Sequence, residues 1–201
     1  MPGSSWSRRD RQRASKIHSL SVVSQNVRNV TAGRDASTGR PTEDQSFSYA
    51  KRRIAAEQAY RHGNDVVMWQ ATQQLEDEEE RYGRMTIYFH GCEPDGNKHG
   101  GVALMLSERA NAAWIRSGRK EIKSGKVGKA ARYFGMELHS IDGRQRVVKI
   151  FVVSLYMPQS GLPKKDYEDT LAKLEADIKA TKSDSSMETI VGRSKRPRGA
   201  F

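Results

Sequence analysis

The run Asp65-Val66-Val67-Met68-Trp69-Gln70 places four apolar side chains in succession between Asn64 and Ala71. Side chains on a strand alternate between two faces, so an uninterrupted apolar run needs cover on both of them. Because the run follows a stretch with helical patterning, it predicts a buried strand in a layered, βαβ-like arrangement rather than a helical bundle.

The flanking sequence supplies the other layers. Leu20, Val22 and Val23 run into Ser24-Gln25-Asn26-Val27 and predict a first short, buried strand that ends in polar residues. The segment from Thr31 to Gln45, rich in Gly, Thr, Asp and Pro, predicts a loop. A helix is expected from Ser46 or Ser48 to about Arg61, with Ile54, Ala55, Ala59 and Tyr60 inward and His62-Gly63-Asn64 closing it. Met85 to His90 and Gly100 to Leu106 predict two further strands, separated by the turn residues Glu93-Pro94-Asp95-Gly96-Asn97. A short helix is expected over Glu108 to Ile115, and the Lys-, Gly- and Arg-rich stretch from Arg116 to Lys129 reads as a surface loop. Long strands follow over Ala130 to His139 and Arg146 to Met157. Ile141-Asp142-Gly143-Arg144 joins them, and its central Asp-Gly pair tolerates the positive φ of a hairpin turn. Asp166 to Thr181 is the clearest helix, with Tyr167, Leu171, Leu174 and Ile178 at spacings of four, three and four. Ser186 to Val191 predicts a last strand. The acidic run Glu76 to Glu80 reads as a solvated face.

This order implies an α/β (α+β-like) layered sandwich with mixed strand directions and flanking helices. No glycine-rich turn follows the first strand, which argues against a doubly wound nucleotide-binding fold. The organisation expected is a disordered basic arm over 1–17, one domain over 18–192 and a basic tail over 193–201.

The chain carries 35 Lys and Arg against 24 Asp and Glu, a formal charge of +11 and a pI near 9.9. That balance favours an anionic partner, nucleic acid before an acidic membrane surface. Arg8, Arg9, Arg11, Arg13 and Lys16 crowd one end, and Arg193, Lys195, Arg196 and Arg198 the other, so the contacts expected are weak, salt-dependent ones to phosphates. A single cysteine, Cys92, excludes an internal disulfide framework and fits a reducing compartment. No stretch approaches the ~18 apolar residues of a membrane helix, and the N-terminus lacks a secretory core. An intracellular location is expected, nuclear or cytoplasmic. The Arg- and Ser-rich start is similar in composition to a mitochondrial presequence, but Trp6 is its only large apolar residue. His90, Cys92 and His99 form no paired spacing of the kind a structural zinc site uses.

Four segments carry a resemblance. Val22-Val23-Ser24-Gln25-Asn26-Val27-Arg28 is similar to an opening strand ending in Trp-Asn-Val-Arg. Asp65 to Thr72 is similar to an Asp-apolar-apolar-Gln-Glu-Thr strand, Gly100-Gly101-Val102-Ala103-Leu104 to a Gly-Gly-Val-Ala-Ile strand, and Ser154-Leu155-Tyr156-Met157-Pro158-Gln159-Ser160-Gly161 to a Tyr-Ala-Pro segment preceding a helix. In this order they resemble the endonuclease/exonuclease/phosphatase family, in particular its LINE-type retrotransposon endonucleases and the craniofacial-development-like genes derived from them. The resemblance spans residues 19–192.

The resemblance implies metal-dependent phosphodiester hydrolysis, usually with magnesium. It places Asn26 where the family supports the metal, Tyr156 where it contacts the scissile phosphate, and Arg28, Gln159, Arg193, Lys195, Arg196 and Arg198 along nucleic acid, DNA foremost. It also places Ala71 where the family has its glutamate ligand, and a methyl group coordinates nothing. After Gly192 the family continues Gly-Asp-Phe-Asn and later Ser-Asp-His, whereas this sequence reads Arg193-Ser194-Lys195-Arg196-Pro197. The resemblance therefore implies the N-terminal part of such a domain, truncated and catalytically impaired, with no bound magnesium. Two other readings are a nucleic-acid-binding module and a scaffold that meets a partner chain, or itself, through an exposed sheet.

Overall fold

The computed structural model describes residues 20–27, 45–72, 74, 76–91, 100–124, 132–141, 146–157, 164–182 and 187–193. Within these, nine strands and three helices follow one another as β1 (Val22–Asn26), α1 (Gln45–Arg61), β2 (Val66–Gln70), β3 (Glu78–Tyr82), β4 (Met85–His90), β5 (Val102–Ser107), α2 (Glu108–Arg116), β6 (Glu121–Lys123), β7 (Tyr133–Ile141), β8 (Val147–Leu155), α3 (Lys164–Thr181) and β9 (Glu188–Arg193). One sheet has the order β1-β2-β5-β4-β3 and the other β6-β7-β8-β9. Each is mixed: β1 is parallel to β2 and β9 to β8, and the remaining pairs are antiparallel.

The sheets lie face to face, and alternation along the strands explains why. Val66, Met68, Val102, Leu104 and Leu106 meet Phe134, Met136, Leu138, Ile150 and Val152 in one layer, which α2 closes with Ala110, Ala113 and Trp114. The intervening residues Val67, Trp69, Ile87, Phe89 and Met105 turn the other way, toward α1. On the far side Tyr133, Phe151, Val153 and Leu155 pack with Leu174 and Ile178 of α3. The result is a helix–sheet–sheet–helix stack, and it gives β2 the two-sided cover that its apolar run demands.

Five expectations need correction or completion. Strand β1, expected to be buried, is only half-buried at Val22 and Val23 and exposed from Ser24 to Asn26, because it lies at the edge of its sheet. Helix α1 forms where predicted, but Ile54 and Tyr60 are exposed, while Ala56, Ala59 and Ser48 are buried. Trp69, Phe89 and Met105 fill that layer from the sheet, so the helix approaches through small residues. Leu171 of α3 is more than a third exposed, and Leu174 carries the burial. The acidic run is only partly a solvated face: its second half is the edge strand β3, and Glu80 pairs with Arg52 at 2.7 Å. The surface loop expected after Arg116 contains the short strand β6, paired with β7. The two basic ends up to residue 17 and beyond Arg193, the turns at 93–97 and 142–144, and the loop expected over 31–44 lie outside the described residues.

At the start of the strands a buried carboxylate ties three elements together. Asp65 Oδ2 accepts from the Ser21 amide at 2.9 Å. Its Oδ1 accepts from Ser107 Oγ at 3.0 Å and Arg109 Nε at 2.9 Å. Ser107 is also the N-cap of α2, accepting from the Ala110 amide, so one hydroxyl both donates to the carboxylate and caps the helix.

Candidate functional site at the strand ends

Strands β1, β2, β8 and β9 all finish at the same end of the stack, because each sheet is parallel at that flank and Gln70 of β2 meets Ser154 of β8. The register gives one row across each sheet. Asn26, Gln70, Val102 and His90 lie side by side in the first. Gly192, Ser154, Phe134 and Lys123 do so in the second. All four segments that carry the family resemblance therefore reach this rim.

A buried amide links the two rows. Gln70 is fully buried. Its Nε2 donates to Ser154 Oγ at 3.2 Å and reaches the Gly192 carbonyl at 3.5 Å and Ser24 Oγ at 3.2 Å. Ser154 Oγ in turn donates to the Trp69 carbonyl at 2.7 Å. Buried polar groups need such partners, and here they stitch the sheets together. The sheets come close at this point: a Cβ on Gly192 would lie 2.7 Å from the end of the Met68 side chain and 2.8 Å from Ser24 Oγ, so a larger residue there would require both side chains to move.

Beyond Gln70 the strand breaks abruptly. Ala71 has φ +59°, the left-handed region that costs an L-residue about 1–2 kcal/mol. Strand alternation would turn its side chain toward α1 with Val67 and Trp69. Instead it joins the layer between the sheets. The Thr72 amide then donates to the Gly101 carbonyl at 3.2 Å. Replacing Ala71 by glycine relieves the backbone but removes one buried methyl, worth about 0.8 kcal/mol. The two effects oppose each other, so we expect a change in unfolding free energy within about 1 kcal/mol, read from urea melts. A large loss would show that the positive φ is not a constraint.

The remaining rim residues are engaged. Tyr156 is buried, its amide donates to the Arg132 carbonyl at 2.7 Å, and the Arg132 guanidinium lies 5.8 Å from its ring centre. Arg193 rests over Tyr167 of α3 at 5.7 Å. Asn26 holds the last position of β1, and its side chain is exposed at the rim. Arg28, Gln159, Lys195, Arg196 and Arg198 lie outside the described residues.

Sequence reading missed a second constellation at the same end. His90, buried, places Nδ1 2.8 Å from Asp77 Oδ1 and Nε2 2.9 Å from the Ser124 carbonyl. Ser124 Oγ accepts from the amides of Arg132 and Tyr133 at 2.7 and 3.2 Å. Asp77 also accepts from the Gly91 amide and pairs with Lys123 Nζ at 3.0 Å. An Asp, a His and a Ser thus stand together, but the serine hydroxyl is buried under two backbone donors and is no nucleophile. The constellation is a clasp between the sheets. Partial burial alone would push the Asp77 carboxyl up, but the hydrogen bonds from His90, Lys123 and the Gly91 amide outweigh it and hold the carboxyl below its ordinary 3.8. Its contribution is therefore full above that pH and fades as pH falls through the lower folded value. Asp77→Asn is expected to flatten the loss of stability below about pH 4, measured by urea midpoints along an acid series. An unchanged acid limb would remove Asp77 from the account.

Magnesium seeks several hard, preferably anionic oxygens. Ser24, Asn26, Gln70, Thr72 and Ser154 offer neutral amides and hydroxyls, and Asp77 is bound by His90 and Lys123. Among the described residues no three Asp, Glu, His or Cys side chains gather as a metal would require. The described residues of the rim do not by themselves fit the ion.

No known protein family and no curated protein matches the sequence. Among solved structures, the chain is similar to the catalytic domain of Xenopus laevis APE2, with a TM-score of 0.41 and 10% identity over 63% of this chain and 47% of that one. It is also similar to the mannosyl-6-phosphatase Bt3783 of Bacteroides thetaiotaomicron VPI-5482, with a TM-score of 0.47 and 17% identity over 86% of this chain and 64% of that one. The chain thus matches less than two thirds of the length of either structure.

Proposed function

We propose that this chain is a nuclease-like module of the endonuclease/exonuclease/phosphatase type, of retrotransposon descent, that holds nucleic acid without hydrolysing it. The observation that carries the reading is the convergence of Asn26, Gln70, Gly101 and Ser154, one from each resembling segment, on a single rim whose bridging groups are amides and hydroxyls. Hydrolysis in the family needs a metal held by carboxylates, and at the end of β2 the chain supplies the methyl group of Ala71. Binding needs much less. A net charge of +11 attracts phosphates, and Arg193, with Arg28, Gln159, Lys195, Arg196 and Arg198, supplies the contacts.

The test uses supercoiled plasmid and a labelled duplex. With magnesium, the plasmid should remain unnicked. Duplex binding that engages ~4 phosphates should weaken about a hundredfold between about 50 and about 200 mM salt. Nicking abolished by EDTA would overturn the non-hydrolytic reading, and salt-insensitive binding would overturn the phosphate-driven one.

A further inference from the structure

Asp65 and Asp77 each accept from several donors, but the two are built in opposite senses. At Asp65 the carboxylate is the buried partner, 6% exposed at its side chain, and the Arg109 cation is the looser one at 29%. At Asp77 the order is reversed. The His90 side chain is 5% exposed, whereas that of Asp77 is 41% exposed. Asp77 belongs to the segment that joins β2 to β3, and its carboxylate caps donors that other parts of the fold hold in place. His90 Nδ1 stands 2.8 Å from Oδ1, and the Gly91 amide donates to the same oxygen at 3.2 Å. Lys123 Nζ reaches Oδ2 at 3.0 Å. Each donor has its own anchor. His90 Nε2 lies 2.9 Å from the Ser124 carbonyl, and Gly91 directly continues β4. Lys123 ends β6, with its ammonium 5.5 Å from the Phe134 ring centre and 3.2 Å from Glu121.

An imidazole N–H, a peptide N–H and an ammonium that converge from two sheets form a donor set for an oxyanion. Burial alone would push the Asp77 carboxyl up, yet the hydrogen bonds from His90 and Lys123 hold it below 3.8. The set therefore favours a charged acceptor over a neutral one. We propose that these donors make a phosphate-binding site, and that the Asp77 carboxylate fills it as a removable stand-in for a phosphate group. A phosphate offers a separate oxygen to each of the three donors, where Asp77 shares Oδ1 between two of them. His90 and Lys123 stand in the two rows of the rim. Resting on the proposed hold on nucleic acid, the incoming phosphate is one of a strand lying across that rim. The tethered carboxylate competes at an effective concentration on the order of 1 mM, so the site inhibits itself until the joining segment swings out.

The first arm of the experiment uses inorganic phosphate and the full chain carrying Asp77→Ala. The substitution opens the donor set, and an anion that refills it restores stability by mass action. Against sodium chloride of equal ionic strength, about 20 mM phosphate should raise the thermal midpoint of the variant about 4 °C more than that of the parent, for a Kd near ~1 mM. The Gly91 amide resonance should move along the same titration, and adding Lys123→Gln should remove the excess. Asp77→Asn keeps the side-chain volume, and its Gly91 resonance reads the same titration should the alanine variant melt without cooperativity. An equal rise in parent and variant, or a Gly91 resonance that stays still, would overturn the site. The second arm uses a labelled duplex. Asp77→Ala should bind it more tightly and steepen the plot of log affinity against log salt by about 0.9, the mark of one added phosphate contact. Glu79→Ala removes the same charge from the exposed edge of β3 and should leave that slope as it was. A phosphate response without a steeper slope would overturn nucleic acid as the occupant. A duplex that binds neither protein would instead sink the proposed function, and the inorganic phosphate arm then decides the site by itself.

Discussion

Replacing Asp65 by alanine is expected to lower the unfolding free energy by about 3–5 kcal/mol, the range for removing one partner of a buried ion pair. Asp65 is only 5% exposed, and it receives the Ser21 amide, the Ser107 hydroxyl and two nitrogens of Arg109. Its own backbone adds bonds to the Ser21 and Ser107 peptides at 2.9 and 2.8 Å. The substitution therefore loosens the entry to β1, the entry to β2 and the start of α2 at once. Arg109 is partly exposed and can turn to water, which places the result toward the lower end of the range. An asparagine side chain would retain the volume and one acceptor oxygen, so Asp65→Asn should cost roughly half as much. Urea midpoints at neutral pH measure both. A loss below about 1 kcal/mol for the alanine variant would mean that the carboxylate is not the joint described here.

Gln70→Leu should cost about 3 kcal/mol, for a different reason. Leucine has nearly the same volume, so no cavity term is expected. The loss comes from buried groups left without a donor, each worth about 1–3 kcal/mol. The buried Gly192 and Met68 carbonyls lose their contact with Nε2, whereas Ser24 Oγ lies at the exposed end of β1 and can turn to water, and Ser154 Oγ keeps its bond to the Trp69 carbonyl. Gln70→Glu should be worse than leucine at neutral pH, because it sets a charge among the carbonyl oxygens of Met68 and Gly192. That ordering distinguishes a hydrogen-bonded bridge from simple filling of space, under which leucine would be nearly silent. Hydrogen exchange at β8 and β9 should rise in both variants.

The strands that form the middle of each sheet were legible because two-sided burial writes itself as an apolar run, as in Val66 to Trp69 and Val102 to Leu106. The edge strand β3 was not. Its residues Glu78 and Glu79 face solvent, and pairing with β4 rather than side-chain burial holds it in place. The inward face of α1 was misread because periodicity favours large residues such as Ile54 and Tyr60, whereas packing against Trp69 and Phe89 selected alanines. At the rim, the positions of Asn26, Gln70 and Ala71 followed from the end of each apolar run. The left-handed turn at Ala71 did not, since alanine carries no signal for it. Nor did the grouping of Asp77, His90 and Ser124. They are separated by 13 and 34 residues, and they meet only once the two sheets stack.

The imidazole of that grouping constrains what chemistry the rim can perform. A histidine that activates water must offer a bare ring-nitrogen lone pair toward the solvent. Both nitrogens of His90 instead point at oxygen acceptors, one on each sheet, and the ring lies beneath the surface. To become a base it would have to give up one of these contacts and swing free, parting the seam it fastens. The ring therefore serves as a rivet rather than a proton shuttle. An engineer wishing to awaken hydrolysis here would have to bring in a new base as well as a carboxylate.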